Sequence, residues 1–185
     1  MNLVDRLKGM LVAPRSEWIK VAAETASPQT LYTGWIMILG AIGPVVLLLT
    51  LGSIQFALAQ YIMTLIITFV MALIVDMLAP SFGGSKDFVA SLKLVAYSYT
   101  AAWLGAIFLL LGALGALLGL AATIYAFYTF FLGAPVLHKS SAEKALPFTL
   151  VIVLCGIVLA VLTGFVLGGM AATPHAALGA GALFR

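Results

Sequence analysis

The chain has 185 residues, of which 64% are hydrophobic and 8% charged, with a formal net charge of +3 and a mean hydropathy of +1.20. Soluble domains carry about 25% charged residues, so this composition excludes a water-soluble globular domain. A charge of +3 scattered along the chain also excludes a nucleic-acid footprint. Lipid is the implied solvent, and the expected fold class is all-α, a polytopic membrane protein built as a five-helix bundle.

Residues 1–30 carry Asp5, Arg6, Lys8, Arg15, Glu17, Lys20 and Glu24, too many charges for the core of a cleavable signal peptide. The first span is therefore expected to act as an uncleaved insertion signal. Leu3, Val4, Leu7, Met10 and Leu11 recur at helical spacing. Pro14 breaks that segment, and a second short helix follows with Trp18 and Val21 on one side. Neither is long enough to span. The pattern predicts two amphipathic helices in the headgroup layer, with Trp18 as an interfacial anchor and Arg6, Lys8, Arg15 and Lys20 facing anionic lipid.

A hydrocarbon core of about 30 Å needs about 20 apolar helical residues. The transmembrane region at 31–170 divides into spans at 31–51, 56–79, 89–111, 115–133 and 147–170. Pro44 is expected to kink the first span, because proline lacks a backbone donor. The central turn at 80–88 contains Gly83 and Gly84. No polar loop interrupts 89–133, yet that stretch is too long for one crossing, so a turn is expected at 112–115, where glycines are concentrated. Pro135 opens a polar turn ending at Leu146, with His138 solvated in it. A small-residue tail at 171–185 ends the sequence.

The charges test this division. With the N-terminus inside, residues 1–30, 80–93 and 135–146 hold eight of the nine Lys and Arg residues, and the outside turns hold none. The positive-inside rule therefore predicts a cytoplasmic N-terminus and an outside C-terminus.

Membrane helices pack through small residues and polar contacts. Gly156, Ala160, Gly164 and Gly168 recur every fourth residue in the fifth span, and Gly115, Gly119, Ala122 and Ala126 run along the fourth. They are expected to seat neighbouring helices or to form an oligomer seam. Gln60, Thr64, Thr68, Ala72 and Asp76 form a ridge on the second span that drifts by about 40° per step. Ionisable groups within spans are costly and mark functional candidates. The short central turn places Asp76 and Lys93 at similar depth, predicting an ion pair that pins the hairpin, with snorkelling of Lys93 or a binding role as alternatives. Tyr97, Tyr99, Tyr125 and Tyr128 are candidates for core packing or for lining a ligand site, since a buried tyrosine hydroxyl needs a partner. Cys155 reads as a small buried residue.

Four groups of residues resemble the Yip1 domain family in its short bacterial form. They are Ala13-Pro14-Arg15-Ser16-Glu17-Trp18, Phe82-Gly83-Gly84-Ser85, Lys93 to Thr100 (KLVAYSYT), and Tyr125-Ala126-Phe127-Tyr128 leading to Gly133-Ala134-Pro135 and His138-Lys139. The resemblance implies five spans and a cytoplasmic N-terminus. Eukaryotic relatives look like adaptors for Rab GTPases in vesicle traffic. The present chain lacks their long N-terminal cytosolic region, so that partner is not carried over, and for bacterial members the family implies no agreed activity.

No HExxH, GxSxG or P-loop occurs, and His138 and His175 fall in separate segments. No enzyme activity, metal or cofactor is therefore expected. The leading expectation is a multi-pass protein of the bacterial inner (plasma) membrane that organises protein partners or lipids at the cytoplasmic face, with a homo-oligomer or another membrane protein as partner. The alternative is a transporter or channel subunit using the Gln60–Asp76 ridge, Pro44 and Lys93.

Overall fold

The computed structural model describes the backbone of residues 2–182 and the side chains of residues 2–169. The tail at 171–185, with His175 and Arg185, lies outside the residues whose side chains are described. Helix α1 covers Leu3–Val12 and is capped by Asn2, whose side chain accepts from the Val4 N–H. Helix α2 covers Pro14–Ala23 and begins on Pro14, where a missing N–H costs nothing. Its buried positions Pro14, Glu17, Trp18 and Val21 follow the three-and-four spacing of one helix face.

Among the described residues, five further helices are long and apolar enough to cross a membrane: Pro28–Leu51, Ile54–Phe82, Phe88–Leu111, Ala113–His138 and Ala142–Gly169. The fifth continues as helical backbone to Ala182. Ser27 opens the first span by a reciprocal cap. Its hydroxyl accepts from the Thr30 N–H, and Thr30 Oγ1 accepts from the Ser27 N–H at 2.9 Å. This span is irregular. A π-helical turn covers Tyr32–Ile36, and regular helix resumes at Ile42 after a break at Ala41. The break lies three residues before Pro44, as expected for a ring that crowds the preceding turn.

The ends of the second and fourth spans move outward from the sequence expectation, while the third ends where expected. The second span runs through a 3-10 turn to Phe82, where Gly83 takes φ +75°. The third reaches Leu111, and a single glycine, Gly112, makes the turn at φ 63°, ψ −133°, a conformation open essentially to glycine alone. The fourth span does not end at Gly133. Its helix passes through Pro135 to His138, and the turn that follows is only 139–141. Proline removes one helical hydrogen bond, whereas docking of the helix end against the central turn supplies new ones.

The third span is the central one. In its most apolar stretch 39% of residues are buried, against 11% in the fifth span. The core joins Met71, Val75, Leu92, Leu94, Phe130 and Phe148, together with Trp18 and Val21 from α2. Leu49, Leu117 and Phe165 are exposed and belong to the lipid-facing surface.

Candidate functional site

Helices α1 and α2 do not lie free in a headgroup layer. They form a hairpin seated in the bundle, held by polar contacts within the hairpin and to the spans. Arg6 is buried, donating from Nη1 to Glu17 Oε1 at 2.8 Å and from Nη2 to Glu24 Oε1. Lys20 donates to the other Glu17 oxygen at 2.9 Å. Lys93, from the third span, donates to the carbonyls of Val21 (3.0 Å) and Glu24. These carbonyls close the C-terminus of α2, where the helix dipole favours a cation. The Trp18 indole donates to the Thr129 carbonyl at 2.9 Å, and the Tyr125 hydroxyl donates to the Leu11 carbonyl at 2.8 Å.

Aromatic packing completes this clasp. The Arg6 guanidinium stands 5.6 Å from the Tyr97 ring centre. Tyr97 meets Trp35 edge-on at 4.9 Å and Trp18 at 6.4 Å. Gly133 has no side chain because the Trp18 ring occupies the space. A Cβ there would also lie 2.8 Å from the Leu94 side chain.

Two sequence expectations are overturned here. Trp18 and Arg6 do not face lipid, being 0% and 3% exposed. The spacing of apolar residues located their helices, but it could not show that the bundle offers a matching slot. Lys93 also does not pair with Asp76: no ion pair between them occurs among the described residues, and Lys93 does not snorkel. Hairpin length fixes depth only. Azimuth turns by about 100° per residue, and it points Lys93 at α2. Asp76 is buried with its Oδ1 lacking a hydrogen-bond partner among the described residues.

His138 is fully buried, not solvated as its polar turn suggested. Its Nδ1–H donates to the Ser85 carbonyl at 2.9 Å, and Nε2 lies 3.4 Å from Ser91 Oγ. The His138 carbonyl accepts from the Ser85 N–H at 2.8 Å. Gly84 must be small beneath this latch, since a Cβ would stand 3.0 Å from His138 Cβ and 3.1 Å from the Ala79 carbonyl. A lone histidine just past an in-helix proline was the only sequence signal for it.

The remaining polar candidates lie elsewhere. Gln60, Thr64, Thr68 and Tyr99 line a cleft of about 560 Å³ shared by the second, third, fourth and fifth spans, with Gly156 and Gly164 on its far wall. Asp76 does not line it. Tyr128 is 45% exposed and packs on Tyr125, outside both the clasp and the cleft. The small-residue row of the fifth span does not seat an intrachain helix along its whole length, since among the described residues nothing lies within 4 Å of a Cβ at Gly164 or Gly168. In the fourth span the row does bring helices together. A Cβ on Gly105 would run into Ala122, and one on Gly115 into the backbone of Phe108.

An all-α chain with five apolar helices of spanning length and a lipid-facing surface is a multi-pass membrane protein. It belongs to the Yip1 domain family, whose model matches residues 8–163. No curated protein and no solved structure matches it. The segments that resemble the family are distant in sequence but adjacent in space: Trp18 packs on Gly133, Lys93 closes α2, and Ser85 binds His138.

Proposed function

We propose that this protein is a non-enzymatic member of its family that organises protein partners or lipids at the cytoplasmic face of a bacterial inner membrane. The N-terminus is cytoplasmic and the C-terminus outside, a reading that rests on the basic residues at 1–30, 80–93 and 135–146. The docked hairpin carries the proposal. Its inner face is spent on the clasp, while Lys8 and Arg15 stay exposed on the docked frame. Such a frame presents basic groups in fixed positions to an acidic partner or to anionic headgroups. The test is recovery of the protein from native membranes in a mild detergent, beside a Lys8→Glu, Arg15→Glu variant. A stoichiometric acidic protein or anionic lipid should accompany the parent and be lost from the variant. The proposal fails if the parent carries neither or if the variant carries the same companion.

A transport reading draws on one observation, that the Gln60–Thr64–Thr68 ridge lines a cleft. Flux in proteoliposomes would then depend on Gln60. Because Asp76 stands outside the cleft, unchanged flux in Asp76→Asn would remove that carboxylate from any path.

A further inference from the structure

The cleft is unusual in what it leaves open. Its volume of about 560 Å³ lies within the roughly 300–1,000 Å³ of sites that hold small molecules. On the fifth span Gly156, Ala160 and Gly164 offer almost no side chain to fill it. The polar side chains around it are mostly closed to a ligand proton acceptor. Thr64, Thr68, Thr123 and Thr163 each donate to a carbonyl of their own helix, at 2.9, 2.8, 2.9 and 2.7 Å. The walls therefore behave as an apolar groove. The Gln60 amide, the Tyr99 hydroxyl and the Trp103 indole line it without a hydrogen bond to protein among the described residues.

Depth separates Gln60 from Tyr99. Gln60 is about 9 Å along the helix from the start of the second span at Ile54, at 1.5 Å per residue. It sits near the membrane boundary remote from the central turn, at the level of lipid ester groups. Tyr99 is about 16 Å from the start of the third span at Phe88, close to mid-depth. Its hydroxyl lies 3.9 Å from where a Gly156 Cβ would stand and forms the floor. Beside the groove, Ile157, Val161 and Phe165 are exposed on the lipid-facing surface of the same helix. An apolar groove of this size is disfavoured for water, and an unfilled one forfeits contacts along its walls.

We infer that the cleft holds one acyl chain of a diacyl glycerophospholipid from the leaflet opposite the central turn. The chain lies along Gly156–Gly164 down to Tyr99, and its ester carbonyl accepts a hydrogen bond from the Gln60 amide. Lipid enters sideways from the bilayer, over the glycines. This site is independent of the basic frame proposed above, since it uses none of the same residues.

The experiment measures lipid retained by the full chain after extensive detergent washing, by native mass spectrometry with identification of the released lipid. The parent should keep one diacyl phospholipid per chain. Gly164→Phe, placed where a side chain meets nothing within 4 Å, should fill the groove and cut retention at least tenfold. Leu117→Phe, at a lipid-facing position 66% exposed, should leave retention unchanged. Gln60→Leu should lower it about threefold to tenfold, the worth of one hydrogen bond. Three results would each overturn the inference: a parent that retains no lipid, equal retention in Gly164→Phe, or a retained molecule without an ester carbonyl.

Discussion

Replacing Arg6 by methionine tests whether a buried charge cluster holds the N-terminal hairpin. The side chains of Arg6 and Glu17 are 4% and 2% exposed and meet at 2.8 Å. Removing one member of such a pair leaves the other charge desolvated, which costs about 3–5 kcal/mol. Lys20 reaches the second Glu17 oxygen but is 58% exposed, so it offsets only part of the loss. The lower end, about 3 kcal/mol, is expected, or roughly a hundredfold in the ratio of docked to undocked hairpin. Arg6→Met combined with Glu17→Leu removes both charges together and should restore most of the docking. Comparing the two singles with the double isolates their coupling. Amide hydrogen exchange over residues 3–23 in nanodiscs is the suitable assay, because it reads local opening rather than collapse of the bundle. If Arg6→Met exchanges at the parent rate, the pair behaves as a solvated contact worth about 0–1 kcal/mol, and the reasoning fails. It fails equally if the double variant opens as far as the single.

Three other perturbations separate neighbouring claims. Lys93→Met should loosen α2 by about 2–3 kcal/mol, since it removes a charged donor from two carbonyls, whereas Asp76→Asn should leave thermal stability unchanged or slightly raised. Their effects should add to within about 0.5 kcal/mol, and a coupling above about 1 kcal/mol would reinstate an ion pair between them. Gly84→Ala forces a Cβ between His138 and the Ala79 carbonyl and should cost about 1–3 kcal/mol in unfolding; Gly34→Ala, which meets nothing within 4 Å, is the control, and equal effects would discount the latch. Trp18→Phe keeps the ring in its slot but loses the bond to Thr129, about 1 kcal/mol, while Trp18→Ala should cost about 3–5 kcal/mol; hydrogen exchange over α2 should rank them in that order.

The spans were legible because each is a long apolar run, and a one-dimensional signal suffices for that. The break before Pro44 and the turn at Gly112 were legible for a similar reason, since each depends on the local chemistry of one or two residues. Contacts between helices were not. Arg6 and Trp18 look like interfacial residues in sequence and become buried because Gly133, Tyr97 and Lys93 form a slot that no spacing encodes. His138 looks solvated beside Lys139 and Ser140, yet Ser85 and Gly84, more than fifty residues earlier, bury it. The Gln60–Thr64–Thr68 ridge was visible as a period of four, but its meaning was not. The same period on the fifth span suggested packing, and it is the gap left by those small residues that turns the ridge into a cleft wall.

Charge divides the bundle into two unlike halves. Near the central turn Arg6, Glu17 and Lys93 are buried, and each is answered by an opposite charge or a helix-end carbonyl. Such an arrangement fixes geometry, and breaking any part leaves an uncompensated charge in a medium that tolerates none. From Tyr99 outward the cleft carries no charged residue, and its threonine hydroxyl protons are already committed. An ion path needs rings of charge or free carbonyl oxygens to replace water, and the cleft walls supply neither, whereas a lipid chain asks only for apolar contact and one donor near the boundary. Gln60 thus discriminates between the two uses. Gln60→Leu should weaken retention of an esterified lipid without creating or abolishing a flux, and a flux that vanished with that single amide would favour a path through the cleft instead.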